Sequence, residues 1–177
     1  MMIAAMLFGL RTITGNEPVL VERKAQPYVS IKETVTMETT GSAFPRLMPK
    51  LKAWMKEHKV EANGPEFMRY SYIDMNNGLD IEVGLPIAKA VKGDKEITAD
   101  SIPAGKYVSL IYMGDYAGLV APNADLQIWA KQKNLKFKMR KGKKGEEFVS
   151  RMEVYFTDPD LEPDKSKWKT EILYMVE

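Results

Sequence analysis

The sequence predicts an α+β fold made of two β-α-β-β units, with an antiparallel sheet that carries its helices on one side. Two recurring segments indicate the duplication: Tyr28–Ile31 (YVSI) recurs as Tyr107–Leu110 (YVSL), and Ala53–Lys56 (AWMK) as Ile128–Lys131 (IWAK). The first has the alternation of a strand and the second the spacing of a helix. Two further strand patterns follow each helix. We expect a ligand groove where the two halves meet, because small-molecule sites favour such junctions.

Composition fits one folded domain and removes several classes of chemistry. The chain has 177 residues, 45% hydrophobic and 28% charged, with a net charge of +2. It contains no cysteine and one histidine, His58, so disulfides, thiol catalysis and His-rich metal sites are excluded. We predict no metal site, and we also expect no cofactor. The balanced charge gives no argument for nucleic acid or membrane as a partner.

The first residues form a separate apolar segment. Met1–Leu10 is too short to span a bilayer, and we expect no transmembrane span. A truncated signal or anchor is one alternative. We favour an element covered by apolar surface of this chain or of a neighbouring subunit. The predicted organisation is thus an N-terminal segment, residues 1–17, and one domain, 18–177, with half-repeats at about 18–91 and 95–177.

In the first half, the elements follow from alternation, helical spacing and turn signals. Ser42 is a candidate N-cap, and the Asn76-Asn77-Gly78 turn is typical of a hairpin. The predicted elements are an extended run kinked at Pro27 (Val19–Glu38), a helix ending near Val60, and two strands (Phe67–Asp74, Leu79–Ile87).

The second half repeats this order. Lys136–Lys144 is strongly basic and flanked by glycines, which predicts an exposed hairpin loop. Nothing in the sequence supports a nucleic-acid role for it, so we expect no direct nucleic-acid binding. The predicted elements are two extended runs (from Ile97, and Lys106–Met113), a helix at about Leu119–Leu135, and two strands (Phe148–Thr157, Lys169–Val176).

The strand pattern Arg151–Pro159 (RMEVYFTDP) contains the central candidate residue, Glu153. Alternation places Met152, Val154 and Phe156 on one face, which we interpret as the core face. Glu153, Tyr155 and Thr157 are then on the other face. If that face is solvent, Glu153 has no special role; if it lines a concavity, Glu153 is a fixed negative charge among aromatic rings. The repeat favours the concavity, because it puts the strand with Tyr70 and Tyr72 across the seam.

The duplicated pattern resembles the GyrI-like small-molecule-binding domain, which is also the effector-binding domain of AraC-type and MerR-type multidrug regulators. The resemblance extends from about Pro18 to the C-terminus and is carried by these stretches: Pro103–Tyr107, Tyr112–Tyr116, Leu126–Trp129, Glu153–Pro159 and Trp168–Ile172. It implies that Glu153 lies at the floor of an aromatic cavity for lipophilic cations, with multidrug recognition as the expectation. Residues 1–17 are too few for a helix-turn-helix, so a stand-alone form is expected.

The ligand-binding residues that the resemblance implies are the Glu153 carboxylate and aromatic side chains around it. The aromatic residues are Tyr155, Tyr70, Tyr72, Tyr112, Trp129 and Trp168. We expect a small-molecule-binding protein in the cytoplasm, and a homodimer stays open. One alternative is a hydrolase of cyclopropane-containing or related compounds that uses Glu153 with Tyr112 or Tyr155, since burial suits a carboxylate to proton transfer. Another is a protein-partner modulator similar to the gyrase-inhibitory members of the family.

Overall fold

Ten strands form one sheet in the part of the chain that this computed structural model describes, residues 17–142 and 145–177. Met1–Leu10 lies outside these residues, and its expected packing stays a prediction. The strands and helices, in chain order, are β1 (Val19–Arg23), β2 (Gln26–Val35), α1 (Thr40–Glu57), β3 (Glu66–Asp74), β4 (Gly78–Pro86), β5 (Thr98–Ile102), β6 (Gly105–Met113), α2 (Val120–Gln132), β7 (Met139–Lys141), β8 (Glu146–Phe148), β9 (Arg151–Tyr155) and β10 (Lys169–Met175).

The sheet is antiparallel at every pairing in the described residues, with the order β1-β6-β10-β9-β3-β4-β2-β5. The halves meet where β3 pairs with β9. They also exchange their first strands: β1 is the first strand of the first half but pairs with β6 of the second, and β5 is the first strand of the second half but pairs with β2 of the first. The predicted α+β class and its antiparallel sheet are confirmed.

Both helices pack on the same face of the sheet, and their buried side chains join one core cluster. Helix α1 contacts β2 and β4, and α2 contacts β6. Helix α1 begins at Thr40, so the expected N-cap at Ser42 is wrong; the Ser42 hydroxyl instead donates to the carbonyl of Thr39 at 2.8 Å. Pro45 and Pro49 both lie inside this helix, since its buried apolar stripe outweighs the backbone hydrogen bonds that two prolines remove.

Strand β9 is buried on both faces, which corrects the sequence-based choice of its core face. Glu153 and Tyr155 face the helices and the larger core. Met152 and Val154 face a smaller apolar cluster on the helix-free side, and Phe156 is 46% exposed. A central strand that is buried on both faces has no solvent face. Alternation alone therefore could not tell the helix-facing face of β9 from its helix-free face.

Other elements differ at their ends. The predicted strand from Phe148 to Thr157 is two strands, β8 and β9, interrupted at Val149 and Ser150. Part of the basic segment is ordered as β7, which pairs with β8. No helix in residues 17–142 and 145–177 is long and apolar enough to cross a membrane.

Candidate functional site

The Glu153 carboxylate is enclosed by three neutral hydrogen-bond donors. The hydroxyls of Tyr70 and Tyr155 each donate to its Oε2 at 3.0 Å, and the amide of Asn123 donates to its Oε1 at 2.8 Å. Glu153 is only 5% exposed. In the described part of the chain, no Lys or Arg nitrogen lies within 4.0 Å of this carboxylate. We call Glu153, Tyr70, Tyr155 and Asn123 the Glu153 cluster.

Sheet register explains why these side chains converge. Met68 on β3 is opposite Glu153 on β9, and side chains alternate along a strand, so Tyr70 projects on the same face as Glu153. Tyr155 is two residues after Glu153 and shares that face as well. Asn123 belongs to α2 and lies on the buried side of that helix, which faces the sheet. The seam between the halves therefore places a carboxylate and two phenols under one helix.

The phenols of the cluster stay protonated over the physiological range. Burial, followed by the negative charge of Glu153, raises the pKa of both Tyr70 and Tyr155 well above the ordinary value for tyrosine. A tyrosine that is neutral at pH 7 donates a hydrogen bond and is not itself a base. Any proton acceptor in the cluster is therefore the carboxylate.

Two residues of the site were missed by the sequence analysis. Asn123 also accepts hydrogen bonds from the hydroxyl of Tyr174 at 2.9 Å and from Arg151 at 3.4 Å. Its signal was a polar residue within the buried stripe of a helix, three residues before Leu126. Thr170 pairs with Tyr155 across β9 and β10, and its buried Oγ1 has no hydrogen-bond partner among the described residues.

A row of aromatic rings in edge-to-face and tilted contact extends from Tyr155. The ring of Tyr155 lies 4.9 Å from that of Phe44 on α1 and 5.0 Å from that of Tyr116. Tyr116 in turn lies 4.6 Å from Trp168, the predicted wall residue. Tyr155 also lines an open groove of about 480 Å³ beside the C-terminal end of α1, where Met55 forms another wall. The Tyr155 ring thus stands between this groove and the Glu153 carboxylate.

Four predicted site residues lie outside the Glu153 cluster: Trp168, which reaches it only through Tyr116, and Tyr72, Tyr112 and Trp129. Tyr72 follows a β-bulge in β3, pairs with Glu147 on β8 and is only partly buried. The hydroxyl of Tyr112 donates to the carbonyl of Asp115 at 3.3 Å, although Tyr112 is opposite Thr170 and shares its face. The indole of Trp129 donates to Glu17 at 3.2 Å. Of the seven predicted residues, the structure joins Glu153, Tyr70 and Tyr155 directly, and Trp168 through Tyr116.

Two further buried carboxylates lie on the helix-free face at equivalent positions of the two halves. Glu82 accepts from the hydroxyl of Ser30 at 2.9 Å, and Glu171 accepts from that of Ser109 at 2.6 Å. Unlike Glu153, both have cationic partners: Arg69 at 2.9 Å from Glu82, and Arg23 in contact with Glu171. Glu171 lines a second groove of about 570 Å³ on this face.

Metal binding has no candidate cluster in the described residues, where no group of three His, Asp or Glu side chains could hold an ion. The groups that the site does offer are one carboxylate, two protonated phenols, an amide and a row of rings. Such a combination binds a small molecule through charge, hydrogen bonds and aromatic contact.

A duplicated α+β sheet with a buried polar site at its seam is the architecture of a small-molecule-binding domain. A family model described as the GyrI-like small molecule binding domain matches residues 16–177. The chain belongs to this family. A comparison with curated proteins finds no match.

Solved structures share the fold at low identity. The chain is similar to the C-terminal domain of EcmrR, with 21% identity, coverage of 91% of this chain and 97% of that one, and a TM-score of 0.72. Against EcmrR in the EcmrR–DNA complex in EcmrR-RPo the TM-score is 0.74 at 20% identity, with 91% of this chain and 57% of that chain covered. This chain therefore spans little more than half of that chain.

Two more distant structures are also similar. One is a hydrolase from Listeria innocua, with 12% identity, coverage of 91% and 92%, and a TM-score of 0.61. The other is SAV2435 bound to tetraphenylphosphonium, with 12% identity, coverage of 92% and 94%, and a TM-score of 0.58. At these identities the likeness establishes the fold alone.

Proposed function

We propose that this protein binds lipophilic organic cations at the Glu153 cluster. One observation carries the proposal: Glu153 is a buried carboxylate whose hydrogen-bond partners, in the part of the chain that the structure describes, are all neutral donors. A buried charge without a counter-ion is costly, so it is normally paired or serves a function. A guest with a positive charge and apolar surface would supply the missing counter-ion. The tetraphenylphosphonium complex of SAV2435 is consistent with such a guest.

We propose that the guest enters where Tyr155 borders the groove beside α1. Rotation of the Tyr155 ring would connect the groove of about 480 Å³ with the Glu153 carboxylate. Tyr116 and Phe44 already contact this ring, so they would line the opened passage. Aromatic faces contribute about 0.5–2 kcal/mol each to binding a cation. The charge of Glu153 would then select among apolar guests, and the rings would provide most of the contact area.

Isothermal titration with two ions of matched shape tests this function. Tetraphenylphosphonium is a cation, and tetraphenylborate is an anion of similar size. We expect the wild type to prefer the cation, and Glu153→Gln to weaken cation binding by about 1–3 kcal/mol, or roughly 5- to 150-fold, because the amide keeps the shape and removes the charge. Glu61→Gln is the control, since Glu61 is exposed. Equal effects of the two substitutions would refute the role of Glu153.

A hydrolase is the second candidate, favoured by the hydrogen bond from Tyr155 to Glu153 at 3.0 Å. In this alternative, Glu153 would accept a proton from water, and Tyr155 would donate to the developing charge on the substrate. Tyr112, the other predicted partner, would need to move to reach Glu153. Mass spectrometry of candidate compounds before and after incubation separates turnover from binding. The cytoplasmic location and the homodimer stay predictions.

A further inference from the structure

A second charged residue, Arg151, shares the helix-facing side of β9 with Glu153. Its guanidinium carbon lies 5.1 Å from the ring centroid of Tyr70, 5.4 Å from that of Phe148 and 4.9 Å from that of Tyr174. Tyr174 is directly opposite Arg151 on β10, and Tyr70 projects from β3 on the other side. Three aromatic residues therefore surround one cation. We call Tyr70, Phe148 and Tyr174 the Arg151 cage.

Besides these rings, the guanidinium has few contacts that hold it in place. Its hydrogen bond to Asn123 is 3.4 Å long, and its buried Nε has no partner among the described residues. No carboxylate oxygen in residues 17–142 and 145–177 lies within 4.0 Å of it. Arg69, on the opposite face, also has a buried Nε without a partner among the described residues. Its terminal nitrogens, however, bond Tyr28 and Glu82 at 2.9 Å and the carbonyl of Val149 at 2.6 Å.

The Arg151 cage and the Glu153 cluster share two residues. The ring face of Tyr70 contacts Arg151, and the hydroxyl of Tyr70 donates to Glu153. Asn123 accepts from Arg151 with its Oδ1 and donates to Glu153 with its Nδ2. A guest cation that reaches Glu153 and the face of Tyr70 therefore meets the space and the rings that the guanidinium occupies. It also meets a like charge, which disfavours binding.

We propose that Arg151 is an internal cation that occupies part of the guest site and must leave it before a lipophilic cation binds. The inference rests on the proposed function of the Glu153 cluster. Arg151 is partly exposed, and a long side chain of this type can move its charged end into water while its stem stays packed. A guest that binds only when Arg151 has left has an apparent affinity lowered by the fraction of open molecules.

This role has a signature that a structural role lacks. Arg151→Met keeps an unbranched, flexible stem and a favourable sulfur contact with the rings, but it is shorter and removes the charge. Tetraphenylphosphonium should bind this variant about 10-fold tighter or more, since both competition and repulsion disappear. Tetraphenylborate should bind it more weakly, because the cation that attracts it is lost. A merely structural effect would change both affinities in the same direction.

Isothermal titration of both ions against the wild type, Arg151→Met, Arg151→Lys and Glu153→Gln tests the proposal. Arg140→Met is the control for net charge, since Arg140 is exposed on β7; we expect it to stay within about 2-fold of the wild type. Arg151→Lys keeps the charge and should stay closer to the wild type than Arg151→Met does.

Opposite shifts for the two ions in Arg151→Met support the proposal, even if the wild type binds the cation too weakly to measure. If Glu153→Gln weakens cation binding but Arg151→Met leaves it unchanged or weakens it, the internal cation is refuted and the function of Glu153 survives. If no variant binds either ion, both proposals are refuted.

Discussion

Asn123→Ala should destabilise the protein, because Asn123 connects α2 to the charged centre of the sheet. The substitution removes a hydrogen bond to a buried carboxylate, about 1.5–3 kcal/mol, and one from the hydroxyl of Tyr174, about 0.5–1.5 kcal/mol. Alanine recovers about 0.5 kcal/mol of helix propensity. We expect a net loss of about 1.5–4 kcal/mol in the free energy of unfolding. In a chain of this size the midpoint of thermal unfolding should fall by about 3–16 °C.

Urea denaturation of a double-mutant cycle measures this loss. The four proteins are the wild type, Asn123→Ala, Glu153→Gln and the double variant. The two residues should couple by about 1 kcal/mol or more, because the bond is charge-assisted only while Glu153 is ionised. Gln127→Ala is the control on the same helix: its exposed amide donates to Tyr174 at 3.1 Å, and its loss should cost about 1 kcal/mol or less. A cost below about 0.5 kcal/mol for Asn123→Ala, or no coupling, would refute the reasoning.

Three further predictions concern stability. Arg69→Met leaves Glu82 without its buried cation and should cost about 3–5 kcal/mol in urea denaturation, whereas a cost below about 1 kcal/mol would contradict the pairing. Thr170→Val removes a buried hydroxyl without a partner and should raise the free energy of unfolding by about 1–2 kcal/mol; a decrease would show that the hydroxyl is satisfied. Burial raises the pKa of Tyr174 to about 12, so the folded state keeps a proton that the unfolded state loses above about pH 10. Stability should therefore be full below pH 10 and fall between pH 10 and 12, with a shallower fall in Tyr174→Phe.

The fold could be predicted because its signals are local. Turn residues, helical spacing and the repeated YVS segments give the order of elements in each half, and the structure keeps that order. The exchange of β1 and β5 between the halves could not be predicted in this way. A short strand such as Val19–Arg23 carries no information about which sheet edge will pair with it.

The candidate site could be predicted in part. Alternation correctly put Glu153 and Tyr155 on one face, and the repeat put Tyr70 across the seam. The alternation of side chains did not show which face of β9 the helices cover, because both faces are buried. Asn123, Thr170 and Arg151 were missed because their roles depend on packing between elements that are distant in sequence.

The most direct test of the central claim is a crystal structure of the protein with tetraphenylphosphonium. Our account predicts the phosphonium on the helix-facing side of the sheet, with aromatic rings within about 6 Å of the cation. Tyr155 should be turned away from Glu153, and the guanidinium of Arg151 should be outside its cage. A ligand in the groove on the helix-free face, near Glu171 and Leu173, with the Glu153 cluster unchanged, would contradict the account.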